Sequence, residues 1–163
     1  APGFEESLSR VLVTFIDLTY LKQTEEALKR SQARLNEAQR IAHIGSWERD
    51  LSSGEEFWSD EHFRLLGYEP GEVRPSEALY LAHIHPEDRE RLQEKINRLM
   101  EHGGAYQIDL RLIRKDGTTR WMRETGRVIS REGMPQRFAG TLQDMTDYLT
   151  PGPTTTAGKG TSL

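Results

Sequence analysis

The sequence predicts an α+β domain: a mostly antiparallel sheet with helices covering one face, preceded by a long N-terminal helix. Three observations carry this. After Gly45 the elements run in the order strand–strand, helices, then three strands in succession, and consecutive meander strands pair antiparallel. Tyr106, Ile108, Leu110 and Leu112 alternate with Gln107, Asp109 and Arg111, as in a strand buried on one side. Leu21, Leu28, Leu35 and Ala42 recur every seven residues, with Thr24, Ser31 and Ala38 between them, the stripe of a helix with one narrow apolar seam.

Taken in order, Val11 to Ile16 is a short β-prone run. Leu18 to His43 reads as one helix of about 39 Å. Glu25 precedes Lys29 and Glu26 precedes Arg30 in the favourable spacing for helical ion pairs. The seam suits pairing with a second copy as a homodimer; packing against the helix's own domain is the alternative. Ser46–Leu51 and Glu55–Ser59 are strands about a Ser52-Ser53-Gly54 turn. Asp60–Leu66 is a short helix capped by Ser59 and stopped by Gly67. Glu69-Pro70-Gly71 and Arg74-Pro75 break the chain, and Ser76 caps a helix through about Leu81. Pro86 opens the longest helix of the domain, with Glu87 and Asp88 in its first turn and Leu92, Ile96 and Leu99 as its apolar stripe, ending at Gly103-Gly104. The strand at Tyr106–Leu112 is followed by strands over about Thr119–Ser130 and Gln136–Gln143, with turns at Asp116-Gly117 and Glu132-Gly133. Thr150–Leu163 has nothing to bury and reads as a tail.

Composition narrows the function. The 163 residues carry a net charge of −4 with 35% hydrophobic residues, so one core of ordinary size is available and nucleic acid is a poor partner. There is no cysteine, which excludes disulfides, thiolate nucleophiles and cysteine-ligated metals. No apolar run approaches the roughly 18 residues of a membrane span and the first residues do not form a signal peptide. The expectation is a cytoplasmic chain without direct membrane contact.

A repeat frames the domain. Arg10-Val-Leu-Val-Thr14-Phe-Ile-Asp17-Leu-Thr19 matches Arg137-Phe-Ala-Gly-Thr141-Leu-Gln-Asp144-Met-Thr146 at a constant offset of 127 residues. A tandem array accounts for it: residues 1–17 are the last strand of a preceding unit, 18–43 a connecting helix, 44–147 a complete unit and 148–163 a tail. Asp-x-Thr leaving a strand supplies caps for a following helix, so Asp17 and Thr19 at one junction, and Asp144, Met145 and Thr146 at the other, are candidate coupling residues between sheet and helix.

The ordered stretches Ile44-Gly45-Ser46-Trp47-Glu48-Arg49-Asp50, Trp58-Ser59-Asp60 through Leu66-Gly67-Tyr68, His85-Pro86-Glu87-Asp88-Arg89, Arg114-Lys115-Asp116-Gly117 with Arg120-Trp121, and Gly140 to Asp147 resemble the PAS family of sensory domains. The resemblance covers about Ile44 to Asp147, and Thr19–Leu35 resembles the helix linking successive PAS domains in bacterial sensors. It implies a five-stranded antiparallel sheet of order 2-1-5-4-3, helices on one face, and any ligand between the two. It also implies neighbouring PAS and output domains in the parent, such as a histidine kinase or diguanylate cyclase. The flavin-photoadduct branch uses a reactive cysteine that this chain lacks. The haem branch uses a histidine on the long helix, where only His102 stands, at the far end; no cofactor is therefore expected, with flavin and haem as the alternatives.

Trp47, Trp58, Phe63, Tyr68 and Trp121, with Leu79, Ile84, Leu92, Ile96 and Leu110, are the candidate walls of a small-molecule pocket; a side-chain-filled core is the other reading of the same residues. His83 and His85, with Glu87, Asp88 and His62, have ligand chemistry for a metal, but Pro86-Glu87-Asp88 already has structural reasons to open a helix, and neither a metal nor a catalytic residue is expected. The favoured function is a non-catalytic sensor and relay. A ligand-free dimerisation spacer and, less favoured, a metal-dependent enzyme are its rivals.

Overall fold

The computed structural model describes residues 18–149; the expected strand Val11–Ile16, Asp17 and the tail from Thr150 lie outside the described residues. Among the described residues the chain divides into two units, the boundary falling between Arg34 and Leu35. Helix α1, Thr19–Ala42, enters both, and none of its residues is buried. The expected seam residues Leu21, Leu28 and Leu35 are 61%, 68% and 52% exposed.

In the second unit, His43 takes a left-handed backbone (φ 51°) that ends α1 and turns the chain directly into β1, Ile44–Asp50. The strand thus begins two residues before the expected Ser46. Strand β2, Glu56–Trp58, is short. Helix α2, Asp60–Leu66, begins at Ser59, whose hydroxyl accepts from the His62 N–H (3.3 Å) and from the Ser46 N–H (2.9 Å), so one side chain both caps the helix and ties it to β1. Gly67, at φ 90°, ends it.

Helix α3, Glu77–His83, is capped by Ser76. Helix α4, Pro86–His102, starts with proline in its first turn, and His85 Nδ1 accepts from the Glu87 N–H. Leu92, Ile96 and Leu99 are its buried stripe.

Strand β3, Ala105–Ile113, buries Tyr106, Ile108, Leu110 and Leu112 in strict alternation. Strands β4, Thr119–Arg131, and β5, Met134–Asp144, meet through Glu132-Gly133. Both turn residues have positive φ, the geometry a two-residue hairpin turn requires. A short helix α5, Thr146–Leu149, follows.

The sheet order is β2-β1-β5-β4-β3 with every pairing antiparallel. Leu66, Ile84, Leu92, Leu110, Leu112, Met122 and Leu142 are fully buried between helices and sheet. The first and last strands are neighbours, Ile44 opposite Gln143, so the chain enters and leaves the sheet at one corner.

Candidate functional site

Two regions can carry function: the polar centre beneath the helices and the corner where the chain leaves the sheet.

On β4, the alternation that buries Met122 also turns Glu124 inward. Glu124 is 1% exposed. The Tyr106 hydroxyl donates to its Oε1 at 2.5 Å and the Tyr80 hydroxyl to its Oε2 at 2.8 Å. Burial pushes the carboxyl up to about 7, against the pull of the two hydroxyls toward the charged form. Both phenols are raised, first by burial and then by the adjacent carboxylate, and remain protonated donors.

His62, from α2, is 1% exposed. Its ring lies 4.8 Å from that of Trp58 and 5.8 Å from that of Tyr80. Neither ring nitrogen, nor Trp47 Nε1, has a hydrogen-bond partner. Burial lowers the imidazole to about 3, so it is neutral. These groups border a cavity of about 30 Å³ whose lining includes Trp47, Arg49, Trp58, His62, Tyr80 and Glu124. At its rim Arg49 pairs with Glu56 (Nε to Oε1, 2.7 Å) and with Glu77 (Nη1 to Oε2, 3.0 Å).

At the corner, the Asp144 N–H donates to the His43 carbonyl (3.2 Å) and the Met145 N–H to the Trp121 carbonyl (2.8 Å). Asp144 Oδ1 accepts from the Thr146 N–H (2.8 Å), and Thr146 Oγ1 accepts from the Trp121 N–H (3.1 Å). Met145 sits half-buried between β5 and α5. Thr19 is the first residue of α1; Asp17 is outside the described residues.

A side-chain track leads to this corner from α4. Asp88, 5% exposed, accepts from Arg111 three times: the backbone N–H (2.8 Å), Nε (2.9 Å) and Nη2 (3.0 Å). Those bonds hold its carboxyl below the usual range. Arg111 lies 5.8 Å from the ring centroid of Trp121, its cross-strand partner.

Of the expected pocket walls, Trp47, Trp58 and Ile96 border the cavity. Phe63, Ile84, Leu92 and Leu110 are core, and Tyr68 and Leu79 pack partly buried against it. Trp121 is a correction: at 36% exposed it faces away from the helices, because odd-numbered residues of β4 point to the opposite face from Met122 and Glu124.

The histidines weighed as metal ligands have separate roles. His83 bonds the Ile113 carbonyl through Nδ1 (2.6 Å) and the Tyr68 hydroxyl through Nε2 (3.0 Å), His85 caps α4 and His62 is buried elsewhere. Among the described residues no group of three or more such side chains is placed to hold a metal, and no helix there is long and apolar enough to cross a membrane.

Residue type alone missed Tyr80, Tyr106, Glu124, Arg49 and the burial of His62. The signal for Glu124 was parity: a carboxylate two positions from Met122, on the inward side of a strand.

Comparison with known proteins agrees with this architecture. The family described as PAS fold matches residues 55–142. The chain is 28% identical over 132 residues to the probable diguanylate cyclase DgcE of Escherichia coli (strain K12), covering 80% of this chain and 12% of that protein. It is 32% identical over 104 residues to the sensor protein FixL of Bradyrhizobium diazoefficiens, covering 63% of this chain and 20% of that protein. Among solved structures, a sensory box histidine kinase/response regulator from Burkholderia thailandensis E264 superimposes with a TM-score of 0.58 at 28% identity, over 70% of this chain and 86% of that one. The chain thus spans no more than a fifth of the length of the two curated relatives.

Proposed function

The chain belongs to the PAS fold family, and from that premise we propose that it senses a stimulus beneath its helices and relays it, as a change of shape, to an output domain of a longer protein. The stimulus displaces β5 and β4; Asp144, Met145 and Thr146 hand the displacement to the helix that follows. The observation that carries this reading is the corner network, in which His43 from the incoming side and Thr146 on the outgoing side both bond to Asp144, while Thr146 and Met145 both bond to Trp121. A movement of α1 and a movement of β4 therefore act on the same few hydrogen bonds.

The names of the relatives suggest a diguanylate cyclase or histidine kinase as the output, with this stretch non-catalytic and cytoplasmic. The reading assigns 44–147 to the sensory domain, 18–43 to the connecting helix, 1–17 to the end of a preceding repeat and 148–163 to a tail. Two copies pair through the exposed seam of α1.

A ligand-free spacer is the second reading, and the small cavity, about 30 Å³, favours it over one that holds a bulky cofactor. Mass and absorption spectra of the purified chain separate the two, since a retained small molecule excludes the spacer. The relay itself is tested in the parent protein. Asp144→Ala should leave the domain folded and abolish stimulus-dependent output; normal switching would overturn the relay.

A further inference from the structure

The buried carboxylate raises the question of why a sensory core places an acid where it has no cationic partner. Glu124 is bonded to two phenols, and both donate to it. A carboxylate accepts both bonds. A carboxylic acid donates its own proton, and the groups hydrogen-bonded to it in the structure are those same phenol oxygens, so one phenol turns from donor to acceptor. The bond to Tyr80 is the longer of the two and is the one placed to reverse. Tyr80 borders the same cavity as His62 and Trp47, whose ring nitrogens are buried without partners. That cavity, of about 30 Å³, can hold one bridging water.

We propose that Glu124 is a proton-binding site in the sensory core, where uptake of a proton from solvent reverses the Tyr80 hydrogen bond, exchanges a charge-assisted bond for a weaker neutral one and so loosens α3 from β4. The step is a simple protonation: carboxylate plus proton gives carboxylic acid, with no other bond made or broken. The surrounding groups are consistent with it. Arg49 of β1 is neutralised by Glu56 of β2 and Glu77 of α3 at the rim, leaving Glu124 without a dedicated cation. His62 of α2 is neutral. Tyr80 and Tyr106 keep their protons. α4 and β5 contribute only Ile96 and Phe138 to the cavity. Burial places the carboxyl at about 7, where a change in cytoplasmic pH alters its charge.

The consequence for output rests on the relay reading. Glu124 lies three residues along β4 from Trp121, about 10 Å, and Trp121 holds both Met145 and Thr146.

The test is NMR of the whole chain labelled with ¹³C at glutamate carboxyls, from about pH 5 to pH 9, alongside the amide signals of Met145 and Thr146. One carboxyl should titrate near neutrality and vanish in Glu124→Gln. Tyr80→Phe is the second variant, in case the first does not fold: loss of one donor to the carboxylate should raise that midpoint by about one pH unit. The Met145 and Thr146 amides should move with the same midpoint. If every glutamate carboxyl titrates below about pH 5, the proton site is wrong and the relay is untouched. If Glu124 titrates near neutrality while those amides stay still, the proton site stands and the relay reading fails instead.

Discussion

The backbone N–H of Asp144 donates to the carbonyl of His43 at 3.2 Å, joining the residue that ends the last strand to the residue that ends α1. The link follows from the sheet order. Because β1 and β5 are neighbours, the chain's way in and its way out stand side by side, and a short polar residue at the exit can bind both.

Asp144→Ala removes the acceptor for the Thr146 N–H but not the backbone bond from Met145 to Trp121. The cost should be about 1 kcal/mol, that of a lost helix cap, confined to the corner. Native-state hydrogen exchange should quicken about fivefold at the Thr146 amide, with the centre of the sheet unchanged. Asp144→Asn keeps an oxygen at that position and should recover most of the protection. Faster exchange spread evenly over β3 and β4 would count against a local role.

Gly140→Ala should be among the more damaging small substitutions. A Cβ there would lie 1.8 Å from the Thr125 carbonyl oxygen and 2.7 Å from Cζ2 of Trp47. The backbone of β4 cannot yield without opening its ladder to β5, so a loss of about 2–3 kcal/mol is expected in urea unfolding. A variant as stable as the parent chain would show that the two strands stand farther apart in solution.

How far the sequence announces this structure depends on the range of the interaction. Ser59 and Gly67 bound α2 through caps made within a few residues, and the alternation of Tyr106 to Leu112 needs only one strand to be read. The Glu124 cluster joins residues 44 and 18 positions apart, on α3, β3 and β4, and no local pattern brings them together. Trp121 shows the complementary failure. Its aromatic ring suggested a pocket wall, but strand parity turns it outward, where Arg111 covers it. At the corner, Asp144-Met145-Thr146 stands out in the sequence because its Asp and Thr recur at Asp17 and Thr19, whereas no local pattern joins it to its distant partner His43.

Asp88 and Glu87 both bond Arg111, and their exposures set their worth. Asp88 accepts from the Arg111 backbone as well as its guanidinium and is 5% exposed. Asp88→Ala strands a backbone N–H and should cost about 2–3 kcal/mol. The side chain of Glu87 is 72% exposed in its pair with Arg111, and Glu87→Ala should cost less than about 0.5 kcal/mol. Thermal unfolding of the two variants checks the ranking; equal losses would remove the special place of Asp88.

Two buried groups shape the pH dependence with opposite signs. Glu124 rises from its ordinary 4.5 to about 7, so between those values the folded chain holds a proton that the unfolded chain has released. Its contribution falls as pH rises through that window, by about 3 kcal/mol. His62 drops from 6.5 to about 3, so between those values the unfolded chain holds the extra proton and stability falls as pH falls. Between about pH 4.5 and 6.5 the two slopes cancel, and wild-type stability should be nearly flat there. His62→Leu should uncover a rise in stability toward acid, and Glu124→Gln a decline toward acid. Denaturant midpoints of the three proteins at several pH values test this; parallel curves would mean that neither group titrates as its burial dictates.

The exposed seam of α1 yields the last expectation. Leu21 and Leu28 are more than half exposed, and α1 buries none of its residues. Glu25 and Lys29 already pair with each other along the helix at 2.9 Å, leaving the seam apolar between charged flanks, the arrangement of a two-stranded coil. Light scattering should give the mass of a dimer, and Leu21→Glu with Leu28→Glu should yield monomers. Each leucine withdrawn from water stabilises the pair by about 1.5–3 kcal/mol, so the double change should weaken dimerisation more than about 100-fold. Because neither side chain is part of the core that Leu66, Leu110 and Leu142 build, the unfolding temperature of the domain in the monomeric variant should stay within a few degrees of the parent chain's. A double variant that remained dimeric would move the interface off this helix.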